Sequence, residues 1–513
     1  MANKLFKSTA IVSFMTLLSR IVGFIRDMVM ASVFGASPGM DAFLLAFKIP
    51  NFMRRLFAEG AFSQAFVPVL SEYRTNKTET EVKTLVDNVF GVLTVVLLLV
   101  TIIGVICAPF LVWIFAPGFD TKDPRFSMAT HLLQITFPYI FFISLTAFAA
   151  GIQNAHGKFA IPAFTPVLLN LSLIIAAYFC SSYFVEPIYA LGWGVMAAGI
   201  AQLLFQAPFL SRLSLFPSFK LNWHSPGVKR VVTLMTPAII GASVMQINLL
   251  VDTIFASFLP VGSLTWLYFS DRLLEFPIGM FGVALATVVL PHLSQQYAKN
   301  SQTGFSASID WALRWILLIG IPSTIGLVML ASPMLATLLQ YGEFTPHDVM
   351  MASRSLIALS LGLVFFLAVK VLVSAFYARQ NTKLPVKIAI VSMLANVAFN
   401  ALLIGPLAHA GLALASALSS VINVGLLLFV LLKEKYYVPV VGWKVFFARL
   451  FVANAMMASV LWYFAPEVSQ WFEWDPLMRV VALGGLIGGA VVAYFGGLWL
   501  FGLRISHLRL ESA

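Results

Sequence analysis

Apolar runs of about 20 residues, each bounded by proline, glycine or charge, follow one another along almost the whole chain, and as a helix each spans the hydrocarbon core of a bilayer. The runs number about fourteen, at 9–34, 41–70, 86–114, 127–154, 162–182, 187–211, 228–258, 265–297, 309–333, 348–377, 385–404, 410–432, 443–464 and 477–502. Several exceed what the bilayer needs, so they tilt or protrude. Charged residues are only 10% of the 513 and hydrophobic residues 60%, whereas a soluble domain carries about 25% charged. The expected class is therefore an all-α polytopic membrane protein. No stretch is long and polar enough to form a separate soluble domain.

The loop charges set an orientation. Alternate loops hold most of the cations outside the spans, among them Lys4, Lys7, Arg74, Lys77, Lys83, Lys158, Arg212, Lys220, Lys299, Arg379, Lys383, Lys433, Lys435, Arg504 and Arg509. The opposite loops hold Lys122 and Arg125 and are otherwise neutral or acidic. The positive-inside rule then places both termini in the cytoplasm, which an even span number also requires. The net charge of +11 reads as topology facing anionic lipid, and nucleic acid is excluded as a partner. The first run is interrupted by Arg20 and followed by no small-residue cleavage site, so it reads as a retained span. Cys107 and Cys180 stand alone in apolar segments without metal spacing, as inert core thiols do.

Proline spacing exposes a duplication. AFVPVLSEY, ending at Tyr73, resembles VVLPHLSQQY, ending at Tyr297. The matching prolines are Pro68 with Pro291, Pro109 with Pro333 and Pro162 with Pro385, at offsets of 223, 224 and 223 residues. Each copy contains six spans, an even number, so the copies share one orientation and a site is expected between them near the midplane. This gives an N-lobe at 1–220, a C-lobe at 221–438 and a two-helix appendage at 439–513.

Five arginines, Arg20, Arg26, Arg54, Arg55 and Arg272, fall inside these spans. Each costs about 2.5–3.5 kcal/mol at mid-membrane on insertion scales, so such residues line a bundle interior or a watery cavity. Guanidinium forks match phosphate oxygens in pairs, which favours a phosphate or diphosphate ligand over a cationic drug. The nearby acids Asp27, Asp41, Glu59, Asp271 and Glu275 offer the bland alternative of ion pairs that only hold helices together. Asp27 shares a face with Arg20, Gly23 lets a neighbouring helix approach, Asp41 caps the outer end of the second span, and Glu59 is positioned to neutralise Arg55.

A second polar set comprises Asp252, Asn396, Asn400 and Ser416, whose oxygens suit Na⁺ or a proton-bearing carboxylate. Inter-helix hydrogen bonding explains Asn and Ser equally well. Zincin, Walker and nucleophile-elbow motifs are absent, so neither catalysis nor ATP handling is expected, and no cofactor is implied beyond Na⁺, H⁺ or the membrane potential for coupling.

SRIVGFIRD (19–27), DAFLLAFKIPNFMRRLFAEGAFSQAFVPVLSEY (41–73), APGF (116–119), TFPYI (136–140) and DRLLEFPIGMFGVALATVVLPHLS (271–294) closely resemble the MurJ (MviN) family, the lipid II flippases of bacterial peptidoglycan synthesis. The resemblance runs along essentially the whole chain, and the two-lobe plan is that of the wider multidrug/oligosaccharidyl-lipid/polysaccharide exporter superfamily. It implies a fourteen-helix transporter of the bacterial cytoplasmic membrane with a cationic central cavity. The family's cavity arginines match Arg20, Arg26, Arg54 and Arg272, and its cavity acids match Asp41, Glu59 and Glu275. The last two helices would form a groove for the polyprenyl tail. Some members have a C-lobe sodium site near Asp252, Asn396, Asn400 and Ser416, although here an Asn stands where an acid is expected. Implied partners are lipid II, membrane lipids and proteins of cell-wall synthesis and division. The competing readings are an ion-coupled drug exporter of the same fold, a non-transporting cell-wall scaffold and, more distantly, an enzyme acting on polyprenyl phosphate.

Overall fold

The computed structural model describes residues 2–54 and 62–503, without the side chains of 2–10, 238, 240–249 and 283. Its described residues form helices joined by turns and short connections, with no strand. In chain order the α-helices are α1 (Ala2–Phe34), α2 (Pro38–Met53), α3 (Ser63–Asn76), α4 (Glu79–Ile106), α5 (Ala108–Phe115), α6 (Pro124–Thr136), α7 (Tyr139–Ala155), α8 (Ala160–Ile175), α9 (Tyr189–Arg212) and α10 (Pro226–Ser257). They continue with α11 (Ser263–Pro277), α12 (Val283–Ala298), α13 (Gln302–Met329), α14 (Ala331–Leu339), α15 (Pro346–Ser360), α16 (Leu363–Ala378), α17 (Lys383–Lys433), α18 (Trp443–Phe464), α19 (Val468–Glu473) and α20 (Pro476–Leu500).

Local chemistry sets the helix starts. Thr78 and Glu81 form a capping box on α4, as Thr345 and Asp348 do on α15. Ser37, Asp123 and Asp475 cap α2, α6 and α20, each followed by a proline that needs no N–H partner in the first turn. The boundaries repeat as the prolines do. Caps at Thr78 and Ser301, breaks at Cys107 and Leu330, ends at His156 and Arg379, and starts at Ala160 and Lys383 are each 223 residues apart.

Among the described residues nine helical stretches are long and apolar enough to cross a membrane, or ten with α15 and α16 taken as one span bent by 40°. Fourteen spans is consistent with this. The long α17 is non-helical at Ala408 (φ 49°), and Asn396 bonds Ser416 at 3.3 Å. Twenty residues of straight helix would separate that pair by about 30 Å, so the chain doubles back and α17 holds two spans. The charged α1 and α10 and the helices α2 and α3 are further candidates. Outward faces are apolar, as Leu98, Leu99, Ile102 and Ile103 of α4 show by their exposure.

The chain forms two compact units, Met1–Leu264 and Thr265–Ala513. Polar ties hold α10 and the turn after it in the first unit, although the sequence repeat begins a new copy there. Lys48 donates to Thr253 at 2.5 Å, the Gly118 N–H to Ser257 at 3.0 Å, and Arg125 to the Leu259 carbonyl at 3.3 Å. The core near α3 and α7 is aromatic, with the Phe66 ring stacked on Phe62 and tilted against Phe148, 5.1 Å from each. In the second unit α18 and α20 pack as a pair where Gly497 lets Ala453 approach.

Candidate substrate-binding residues

The span arginines of the first unit have different surroundings. Arg26 is 5% exposed and its guanidinium bonds Asp27 at 2.5 and 3.0 Å and the Asn170 carbonyl oxygen at 3.0 Å. Gly23 makes room for this, because a Cβ there would meet the Asn170 amide at 3.2 Å. The same amide donates to the Ser19 carbonyl at 3.1 Å. Asp27 therefore engages its chain neighbour Arg26. Arg20, one face-repeat earlier, is exposed, and no acceptor among the described residues pairs with it. Arg54, at the end of α2, bonds the neutral Asn51 side chain at 2.8 and 3.0 Å. Arg55 and Glu59 lie outside the described residues.

Asp41 is fully buried in the first turn of α2, and Ser37 takes the capping role expected of it. Its carboxylate accepts the Gly262 N–H at 2.7 Å and lies 3.9 Å from Arg125. That geometry ties α2 to the turn between α10 and α11, where Gly262 adopts a φ of +93° open to glycine.

Arg272 of the second unit pairs with Glu275 at 2.8 Å and lies over the Tyr268 ring at 5.3 Å, with 37% of its side chain exposed. Asp271 beside it is exposed. Asn396, Asn400 and Ser416 form a ladder in which Asn400 donates to Asn396 at 3.1 Å and Asn396 to Ser416 at 3.3 Å. Amide hydrogens thus use two of the oxygens offered to a cation. Asp252 belongs to the first unit, next to the Thr253 that Lys48 reaches. Among the described residues no cluster of three or more His, Cys, Asp or Glu could hold a metal.

Some polar residues escaped the sequence reading. Lys48 sits in the second span, six residues before Arg54, and was legible as a further cation in an apolar run. Buried Arg479 donates to the Ala336, Gln340 and Phe472 carbonyls at 3.1–3.2 Å, where the end of α14 collects negative charge. Nothing local in the sequence marks that destination.

The family model for lipid II flippase MurJ matches residues 30–482. The chain belongs to the MurJ family. It is 43% identical to the probable lipid II flippase MurJ of Vibrio cholerae over all of this chain and 99% of that protein, and 44% identical to that of Haemophilus influenzae over 97% and 100%. The lipid II flippase MurJ of Burkholderia cenocepacia is 39% identical over 99% of each. A solved MurJ lipid II flippase in an inward closed conformation superposes with a TM-score of 0.79 at 27% identity, over 97% of this chain and 99% of that one. An inward-facing multidrug transporter of the MATE family, in the MOP superfamily, has a TM-score of 0.67 at 13% identity, over 87% and 96%, which is a likeness of fold alone.

Proposed function

We propose that this chain, as a MurJ-family flippase, carries lipid II from the cytoplasmic to the periplasmic leaflet by alternating access, with Arg20, Arg54 and Arg272 holding the diphosphate. The observation that carries the arginine reading is Arg20, an exposed guanidinium within a 33-residue helix with no partner among the described residues. An unpaired charge in a span is costly unless water or an anion meets it. Arg54 is held by the Asn51 side chain, and Arg272 remains partly exposed beside Glu275. Bidentate guanidinium forks suit the phosphates of a polyprenyl diphosphate.

In this reading the saccharide-peptide head enters a hydrated space while the tail stays in lipid along α18 and α20, and both termini stay in the cytoplasm. The buried Arg26–Asp27–Asn170 group and Asp41 then position α1 and α2 and do not contact the phosphates. Movement of the arginines through the field would couple the cycle to the membrane potential, at about 2.3 kcal/mol per charge per 100 mV.

The test is translocation of labelled lipid II in proteoliposomes, with and without an imposed potential. Replacing Arg20, Arg54 and Arg272 together by Ala should abolish it at unchanged protein level. Undiminished translocation by that variant would end the arginine reading, and an unchanged rate under potential would end the coupling.

A further inference from the structure

Where α7 hands over to α8, the first unit holds a cavity of about 560 Å³ whose wall includes Gln153, Lys158, Phe159, Ala160, Phe209 and Arg212. The turn that shapes it is a glycine C-cap. Gly157 has a φ of +69°, its N–H bonds Asn154 at 2.9 Å, and the Lys158 N–H reaches back to Gln153 at 2.9 Å. This brings Lys158 and the first turn of α8 onto one wall.

Two features of that wall favour an anion. No side chain caps α8, so the N–H groups of its first turn, at Ala160 and Ile161, are available to a ligand. Pro162 has no N–H to offer or to satisfy. Neither Lys158 nor Arg212 has an ion pair among the described residues, and Arg212 lies over the Phe209 ring at 5.4 Å. A further feature is an unmet acceptor, which calls for a donor on the ligand. Gln153 is fully buried and donates to Gln206 at 3.0 Å, but its Oε1 has no hydrogen-bond partner among the described residues. Such an orphan costs about 1–3 kcal/mol unless something donates to it.

We propose that this cavity binds the phosphodiester headgroup of an anionic glycerophospholipid. Lys158, Arg212 and the α8 N-terminus hold the phosphate, and a headgroup hydroxyl donates to Gln153 Oε1. The cavity lies at the ends of three apolar helical stretches, 124–155, 160–183 and 189–212, at the depth of lipid headgroups. Phe159, 38% exposed, and Phe209 then meet the glycerol and upper acyl carbons. A choline headgroup fits poorly, since it brings a cation to two cations and no donor to Gln153.

Native mass spectrometry of the full chain in micelles doped with phosphatidylglycerol or phosphatidylcholine tests this. The native chain should retain phosphatidylglycerol preferentially. The double variant Lys158→Gln/Arg212→Gln should lose that preference by roughly 30-fold, the effect of two basic residues near a headgroup. Gln153→Leu should weaken phosphatidylglycerol but leave phosphatidic acid, which lacks the hydroxyl, unchanged. Thermal melting without added lipid checks that each variant folds; if Gln153→Leu does not, the surface double variant decides alone. Equal retention by that variant and the native chain overturns the proposal. So does displacement of the lipid by millimolar inorganic phosphate, which would make this a site for a soluble anion.

Discussion

The Tyr494 hydroxyl donates to the Leu318 main-chain carbonyl at 2.6 Å, and that carbonyl is the one Pro322, four residues on in α13, has no N–H to satisfy. A side chain of α20 thus completes the hydrogen bonding of a proline-interrupted helix. Tyr494→Phe leaves the carbonyl unmet in an apolar setting and should cost about 1–3 kcal/mol. In a Pro322→Ala background the restored N–H serves the carbonyl, so the same change should cost much less. Thermal melting of the four proteins of this double-mutant cycle measures the coupling; equal losses in both backgrounds would refute it.

A second tie lies in the segment between α17 and α18. Asp310 accepts from Tyr437 at 2.8 Å, Trp443 at 2.7 Å and the Val440 N–H at 3.2 Å, and pairs with Arg314 at 2.8 Å. Burial and the Asp310 carboxylate hold the Tyr437 phenol far above its usual pKa, so it remains a donor throughout the physiological range. Asp310→Ala removes the common acceptor and strands the Arg314 charge, at a cost of about 3–5 kcal/mol for a buried pair. Limited proteolysis should cut within 434–442 much faster in this variant. Unchanged cleavage would mean that the segment is held by other contacts.

The span arginines should separate by phenotype. Arg20→Gln removes an exposed charge with no partner among the described residues, so stability should change by less than about 0.5 kcal/mol while lipid II translocation falls. Asp27→Asn strips the buried Arg26 of its counter-charge and should cost about 3–5 kcal/mol, lowering the amount of folded protein before any effect on turnover per molecule. Melting temperatures paired with transport per folded protein distinguish the two. A strongly destabilised Arg20→Gln would show that this side chain is structural.

Much of the plan could be read from the sequence because its signals are local. Pro162 and Pro385, 223 residues apart, stand two residues into helices that start at the same spacing, and Thr78, Asp123, Thr345 and Asp475 stand at helix starts as their side-chain chemistry requires. The partners of the charges were not legible, because they come from remote segments. Asn170 reaches Arg26 across 144 positions, and Gly262 meets Asp41 across 221. Helical spacing put Asp27 beneath Arg20, but the long arginine side chain at 26 curls back on its neighbour once Asn170 fixes its far end. Arg479 was invisible for a similar reason, since its acceptors are main-chain carbonyls that carry no sequence signature.

His156, which ends α7 outside the spans, gives the chain an acid-sensitive contact. Burial lowers its pKa below 6.5 and the nearby Arg74 adds to this, against the Nδ1 contact with the Ile152 carbonyl, which raises it. The unfolded chain therefore binds a proton at this residue at higher pH than the folded one. Stability is fully present above about pH 6.5, falls as pH drops from there, and stops falling from this cause once the pH passes below the folded-state value. His156→Gln should flatten that part of the stability profile while leaving the more acidic limb, which belongs to carboxylates, in place. Melting temperature against pH for the two proteins reads the difference directly, and parallel curves from neutrality downward would show that His156 titrates alike in both states.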